Sequence, residues 1–292
     1  MIDFIQMIIS GVAVGSSYAL MALAMVLIYK ASEVPNFAQG EMALLPVFIA
    51  FMIIYSYGQS AFVAFSGALV FALFLGCFLE FAVVRRAKNP NILGLIIITI
   101  GLEMILLGFV SWKFGADERV MPDFPISSYA SVMFGDFYIT TIDLLTLVAA
   151  LVIMISLFLF FRFTKFGVAM KATQQNPTAA RLMGIRTNRV KMVTWGISAT
   201  VGSVAGLLIA PVIMEPYMMW DPMLKGFAGA VVGGMTSLPG AVFGAYIVGI
   251  VEHLFGGYVS MDFKAVVAFA VIVIVLCVKP SGLFARHYVK KV

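Results

Sequence analysis

Residues 266–278 read VVAFAVIVIVLCV, an unbroken apolar run that settles which fold classes remain open. A strand with one face in water, or a strand of a membrane barrel, alternates polar and apolar at every second residue. Here both alternations are greasy, so the segment has apolar neighbours on all sides, as a helix in lipid does. Other stretches of the chain are equally long and apolar, and roughly 20 such residues at about 1.5 Å each cross the ~30 Å hydrocarbon layer. Composition agrees: of 292 residues, 62% are hydrophobic and 11% charged, where a soluble domain carries about 25% charge. The expected fold class is all-α, a polytopic transmembrane helix bundle forming one domain over 1–292. Eight or nine spans are placed at about 5–29, 38–57, 61–84, 92–112, 142–162, 190–213, a short one near 223–236, then 240–258 and 263–279.

Charge placement gives the bundle a direction. Arg85, Arg86 and Lys88 share one connection. Arg162, Lys165, Lys171, Arg181, Arg186, Arg189 and Lys191 share another, and Lys279, Arg286, Lys290 and Lys291 close the chain. The connection between about 113 and 141 carries Asp117, Glu118, Asp123 and Asp136 instead. Basic connections stay in the cytoplasm, so the N-terminus is expected outside and the C-terminus inside. The same distribution accounts for the net charge of +5 without a nucleic-acid partner. The opening MIDFIQMIISG has no basic residue before Lys30 and therefore lacks the positive start of a cleavable signal; it reads as a retained first span.

Chemistry-bearing patterns are scarce. Cys77 and Cys277 both sit in apolar runs, where a thiol behaves as a small core residue. No phosphate-binding loop of the form G-x-x-x-x-G-K-[ST], no Ser-His-Asp arrangement and no metal-ligand spacing is present. The chain is expected not to be an enzyme, with no catalytic residue, no metal ligand and no cofactor of its own. Five ionisable groups fall at or near membrane depth, where an uncompensated charge costs at least ~2.5 kcal/mol. Glu80 is expected to pair with Arg85, and Glu103 to bond a neighbouring helix or subunit. Glu252 and His253 are expected to snorkel to water at the outer end of their span. Glu41 stands beside Asn36 and Gln39 at a helix break, which suits either a transport pathway or a solvated cytoplasmic carboxylate.

Two breaks interrupt the apolar rhythm. In SEVPNFAQGEM, 32–42, Pro35 and Gly40 interrupt helix and Asn36 can cap the next one. In GGMTSLPGAVFG, 233–244, Gly233, Gly234, Pro239 and Gly240 flank the polar pair Thr236 and Ser237. Irregular backbone at membrane depth must line a cavity or be buried in protein; tight cytoplasmic turns between full spans are the other reading of both. Pairs of glycines one turn apart, Gly11 with Gly15, Gly202 with Gly206, Gly229 with Gly233 and Gly240 with Gly244, are read as close helix contacts.

The one long polar stretch, TQQNPTAARLMGIRTNRVK at 173–191, lies in a cytoplasmic segment of about 163–190. Lys165 to Gln175 can continue the preceding helix. Asn176 and Pro177 then supply an N-cap and a first-turn proline, and Gly184 a stop. The short helix so bounded is marginal alone, and its Ala179, Leu182 and Met183 make a small apolar knob rimmed by Arg181 and Arg186. Such a knob fits a groove on another protein or a bed of anionic lipid.

The segment GVAMKATQQNPTAARLMGIRTNRV resembles the cytoplasmic coupling segment of the permeases of branched-chain amino acid ABC importers. The likeness runs through the chain: GSSYALMALAMVLIYK and NFAQGEM resemble the family's first span and its Asn-Phe-Ala-x-Gly-Glu motif, AGAVVGGMTSLPGAVFGAYIVGIVE its Gly-Gly-x-x-Ser-x-Pro-Gly-Ala segment, and KPSGLFAR its Pro-x-Gly-Leu-Phe signature. Length and motif order match the shorter of the two permease types. Gln39 stands where histidine is common, and Met235-Thr236 where an aliphatic residue and glycine are. The resemblance implies a bacterial inner-membrane permease that moves branched-chain or similar small hydrophobic amino acids by alternating access. It further implies a second homologous permease as heterodimer partner, two cytoplasmic ATPases that hold the ATP and magnesium, and a periplasmic solute-binding protein. Coupling to the ATPases would fall to Asn176, Pro177, Ala179, Ala180, Arg181, Leu182, Met183, Gly184 and Ile185. The substrate route would run past Asn36, Phe37, Gln39, Gly40 and Glu41, and past Gly233, Gly234, Thr236, Ser237, Pro239 and Gly240. Two alternatives stand beside this: the same kind of importer carrying urea or short amides, and an ion-coupled secondary transporter that needs no ATPase.

Overall fold

A computed structural model describes residues 2–87, 91–121, 131–134, 137–261 and 263–284. Lys88, Asp123, Asp136, Arg286, Lys290 and Lys291, which entered the charge reading, lie outside these residues. The chain is a helical bundle: α1 (Ile2–Ser32), α2 (Gln39–Tyr57), α3 (Ala61–Ala82), α4 (Ile92–Phe114), α5 (Thr141–Phe163), α6 (Lys165–Gln175), α7 (Pro177–Leu182), α8 (Thr187–Ile209), α9 (Trp220–Gly233), α10 (Leu238–Tyr258) and α11 (Lys264–Val278). Seven of them, α1 to α5, α8 and α10, are long and apolar enough to cross a membrane, and α9 and α11 are shorter. The short segment expected near 223–236 is α9, displaced three residues toward the N-terminus. The segment expected to end at 213 stops at Ile209, because residues 210–219 turn back irregularly before α9 begins.

An element that the sequence reading did not anticipate is a two-stranded antiparallel hairpin, β1 (Ser131–Phe134) and β2 (Phe137–Thr140). It is tied to the start of α1, where the Gln6 amide donates to the Tyr138 carbonyl at 2.9 Å and accepts from its N–H at 3.2 Å. At the opposite end of α1 the Lys30 ammonium donates to the Thr236 carbonyl, and the Arg85 guanidinium to the Asn188 carbonyl. The molecule therefore has a hairpin end and a basic end, with the described cations of the 84–86 turn and of α6 to α8 at the latter.

Helices α1 and α2 are apolar all round, and both are buried. Residues 19–28 of α1 are almost without exposure, as are most of α2 from Gln39 to Phe48. Small residues bring the backbones together where this core is built. A Cβ on Gly11 would lie 2.7 Å from the Ile250 Cα of α10, and one on Gly229 would lie 2.5 Å from the Ala245 Cα. Gly202 and Gly206 receive Gln39, Ala43 and Val47 of α2, while Gly233 and Gly240 face each other across the α9–α10 turn. All four glycine pairs are thus packing contacts, worth having in a bilayer because lipid tails offer helices no hydrophobic reason to associate. The outer faces of α3, α4 and α5 leave Phe62, Phe74, Ile97, Met104 and Ile155 exposed, as lipid-facing surfaces do.

Candidate functional site

Helix α6 does not continue α5, contrary to the sequence reading. Thr164 ends α5 and caps a new helix, its hydroxyl accepting from the Gly167 N–H at 3.2 Å and donating to the Phe160 carbonyl at 2.6 Å. Gly167 is required there because a Cβ would collide with the Phe161 carbonyl. Asn176 then caps α7 as expected, accepting from the N–H groups of Thr178 and Ala179 at 3.0 and 2.9 Å, with Pro177 in the first turn. The stop is a Schellman arrangement. Gly184 takes φ 83°, its N–H bonds the Arg181 carbonyl, and the Ile185 N–H bonds the Ala180 carbonyl. Leu182 and Met183 are 84% and 83% exposed, and Ala179 is exposed beside them. Ala180 instead turns inward at 4% exposure and anchors the helix, and Arg181 is held by Thr187 at 3.0 Å. The predicted knob exists, made of Ala179, Leu182 and Met183 without Ala180.

The first break lies deep in the bundle. Helix α1 ends at Ser32, and Glu33 takes φ 59°, a left-handed turn usually given to glycine. The chain then climbs back along α1 through Pro35 to α2. The Ser198 hydroxyl donates to the Ala24 carbonyl at 2.7 Å, and its oxygen lies 2.9 Å from the Gln39 side chain. Ser198 is eleven residues into α8, so at about 1.5 Å per residue Gln39 sits roughly 16 Å inside the basic end. The residues that follow this break are buried inside the bundle and do not form an exposed turn. Asn36 does not cap α2 directly: its side chain accepts from the Ala38 N–H at 3.2 Å and so shapes the turn before the helix. Asn36, Gln39 and Gly40 are fully or almost fully buried, Phe37 meets Phe227 of α9, and Gly40 gives room to Met223. Glu41 is 3% exposed, and its Oε2 has no hydrogen-bond partner among the described residues.

The second break is a tight turn at the basic end. Gly234 takes φ 105°, Thr236 and Pro239 are exposed, and Ser237 caps α10 through the Gly240 N–H at 3.2 Å. The two breaks meet at their rims, where Lys30 donates to the Thr236 carbonyl at 3.0 Å.

A third polar constellation escaped the sequence reading. Near the hairpin end, Glu252 of α10 is 1% exposed and accepts from the Lys225 ammonium of α9 at 2.6 Å and the Tyr18 hydroxyl of α1 at 3.1 Å; the Lys264 ammonium of α11 stands 3.8 Å away. Lys225 also meets Asp221, one turn back, at 2.7 Å. Glu252 does not snorkel, because three helices bring donors to it. His253, expected to snorkel beside it, is half-buried, its Nδ1 2.9 Å from the Gly249 carbonyl. An Asp and a Lys one turn apart in a short apolar helix, followed by a lone Glu in the next span, was the available signal. Glu80 pairs with Arg85 at 2.7 Å as expected. Among the described residues no group of three metal-ligating side chains occurs.

A multi-helix membrane bundle with a deep helix break, a capped knob on its basic face and no catalytic cluster among the described residues has the construction of a transporter's membrane component. Comparison with known proteins gives the particular kind. The chain belongs to the family described as branched-chain amino acid transport system, permease component, which it matches over residues 7–276. It is 32% identical over 301 aligned positions to the high-affinity branched-chain amino acid transport system permease protein LivH of Escherichia coli K12, covering 99% of this chain and 98% of that one. Identity of 28% extends over 99% of the chain to BraD of Pseudomonas aeruginosa, and over 95% to a LivH-type permease of Methanocaldococcus jannaschii, covering 98% and 92% of those proteins. Among solved structures, a metal-chelate type ABC transporter in an inward-facing conformation aligns with TM-score 0.51 and 16% identity over 94% of this chain and 85% of that one, a likeness of fold.

Proposed function

We propose that this protein is the transmembrane permease subunit of an ATP-driven, binding-protein-dependent importer of branched-chain or similar small hydrophobic amino acids. The observation that carries the reading is the nearly full-length likeness to permease proteins of such systems. The family favours neither a urea or amide importer nor an ion-coupled transporter. Helix α7 supplies a physical means of coupling: a rigidly capped apolar knob at the basic end, which the positive-inside rule puts in the cytoplasm together with the C-terminus. A cytoplasmic ATPase that grips Ala179, Leu182 and Met183 pushes on α6 and α8, and these rock the bundle between two openings. ATP and magnesium belong to two such ATPases, and a homologous second permease and a periplasmic binding protein complete the complex in the inner membrane. The substrate route follows the first break, Asn36 to Glu41. The second break, from Gly233 to Gly240, borders its cytoplasmic mouth.

Reconstitution with the second permease, the ATPases and the binding protein tests this. ATP-dependent leucine uptake is expected, and Leu182→Glu or Ala179→Glu should abolish uptake while membrane insertion stays normal. Normal uptake by both variants would remove α7 as the coupling element.

A further inference from the structure

Glu41 presents an unusual balance sheet of hydrogen bonds. Its carboxylate is 3% exposed, its Oε2 receives no donor, and a buried charge left unpaired is expensive. A charged group that bears on it is another carboxylate, Glu103 of α4. Two independent contacts fix the parallel register of these helices. The Phe48 and Phe114 rings lie 5.0 Å apart, and Asn36 and Thr99 line the same narrow crevice. That register sets Glu103 level with residues 37–40, within about a turn of Glu41. Glu103 sits at the half-exposed edge of α4 and makes no hydrogen bond to any described residue. A carboxylate at this depth does not face lipid; it faces water or protein.

Two carboxyl groups thus stand at about one level of the α2–α4 seam, and no described residue donates to Glu41 Oε2 or to Glu103. We propose that Glu41 and Glu103 form a subsite for the ammonium group of the transported amino acid, an assignment that rests on the importer reading above. An ammonium brings three N–H donors and one positive charge, which matches the unfilled acceptors. A calcium-like ion would ask for six to eight oxygen ligands, more than the two carboxylates offer.

The test uses the complete complex in proteoliposomes. Leu107→Cys places a thiol on the same flank of α4, one turn beyond Glu103, in a chain whose Cys77 and Cys277 are replaced by alanine. Alkylation of the introduced thiol is followed by mass spectrometry of this chain. 3-Methylbutylamine and leucine, at a few times their dissociation constants, should slow alkylation about fivefold, whereas 4-methylpentanoate should not. Glu41→Gln and Glu103→Gln should each abolish the slowing. Equal protection by 4-methylpentanoate or by sodium ions, or protection that persists in both glutamine variants, overturns the subsite. If Glu41→Gln disturbs assembly, Glu103→Gln at the half-exposed edge decides alone. ATP-driven leucine uptake by the same vesicles separates the two claims. Uptake without amine protection sinks the subsite and spares the importer, and amine protection without uptake does the reverse.

Discussion

Glu252 and Glu41 are 1% and 3% exposed, yet the first is met by a lysine and a tyrosine hydroxyl from two other helices, while one oxygen of the second has no donor among the described residues. The contrast separates two uses of charge inside a membrane. Around Glu252, α1, α9, α10 and α11 each contribute a group, so the carboxylate works as a fastener for helices that lipid gives little reason to associate. Around Glu41 the fold supplies a helix break and a like charge, and no described residue forms an ion pair with it. The described residues supply partners to the first acid and none to Oε2 of the second.

The largest effect should come from breaking the satisfied site. Glu252→Ala leaves Lys225 buried with only Asp221, whose own side chain is 59% exposed, and removal of one partner from a buried pair costs about 3–5 kcal/mol. Thermal unfolding of the detergent-purified chain should register that loss. Replacing both partners, Lys225→Met with Glu252→Met, should recover most of it, since well-packed apolar groups often match a buried ion pair. A double variant as unstable as the single one would mean that the pair is not the fastener.

A smaller effect should follow from thinning the same site. Tyr18→Phe keeps the ring, over which the Lys225 ammonium lies 5.4 Å from the centroid, and removes only the hydroxyl that donates to Glu252. A hydrogen bond to a charged group is worth about 1.5–3 kcal/mol, and Lys225 still holds the carboxylate, so the loss should fall near the lower figure. A loss as large as that of Glu252→Ala would show that the tyrosine, and not the lysine, governs the site.

Much of this contrast could be read from the chain, and the reasons for the remainder are specific. Uniform greasiness located the spans, and Asn176, Pro177 and Gly184 located α7 almost to the residue, because capping chemistry is local. The same holds for the Glu80–Arg85 pair, five positions apart. Tyr18 and Lys225 were missed because their meaning depends on α1, α9 and α10 crossing at one point, which no local pattern encodes. The kink at Thr164 was passed over since a threonine cap inside a continuous polar helix leaves no change of periodicity. The hairpin had a signal in Gly135-Asp136 between two short apolar runs, in a connection read only for its acidic charge. The depth of the first break was left open, because Pro35 announces a turn without saying whether it faces water or Ser198.

The smallest effect on stability, and the sharpest on function, is expected at Glu41. Glutamine keeps the size and one carbonyl oxygen of the side chain and removes an unpaired buried charge, and its amide nitrogen brings donors to a place that has acceptors on offer from Glu103. Glu41→Gln should therefore change the unfolding temperature little, with a free-energy change within about 1 kcal/mol and of either sign, whereas Glu252→Gln should destabilise clearly because Lys225 loses its charged partner. ATP-driven leucine uptake should reverse the ranking: severe loss for Glu41→Gln, and for Glu252→Gln a loss no greater than the fall in folded protein. If the two variants lose stability equally, Glu41 is a fastener whose partner is supplied by a neighbouring chain. If Glu41→Gln transports normally, the empty acceptor plays no part in transport and the distinction between the two acids collapses.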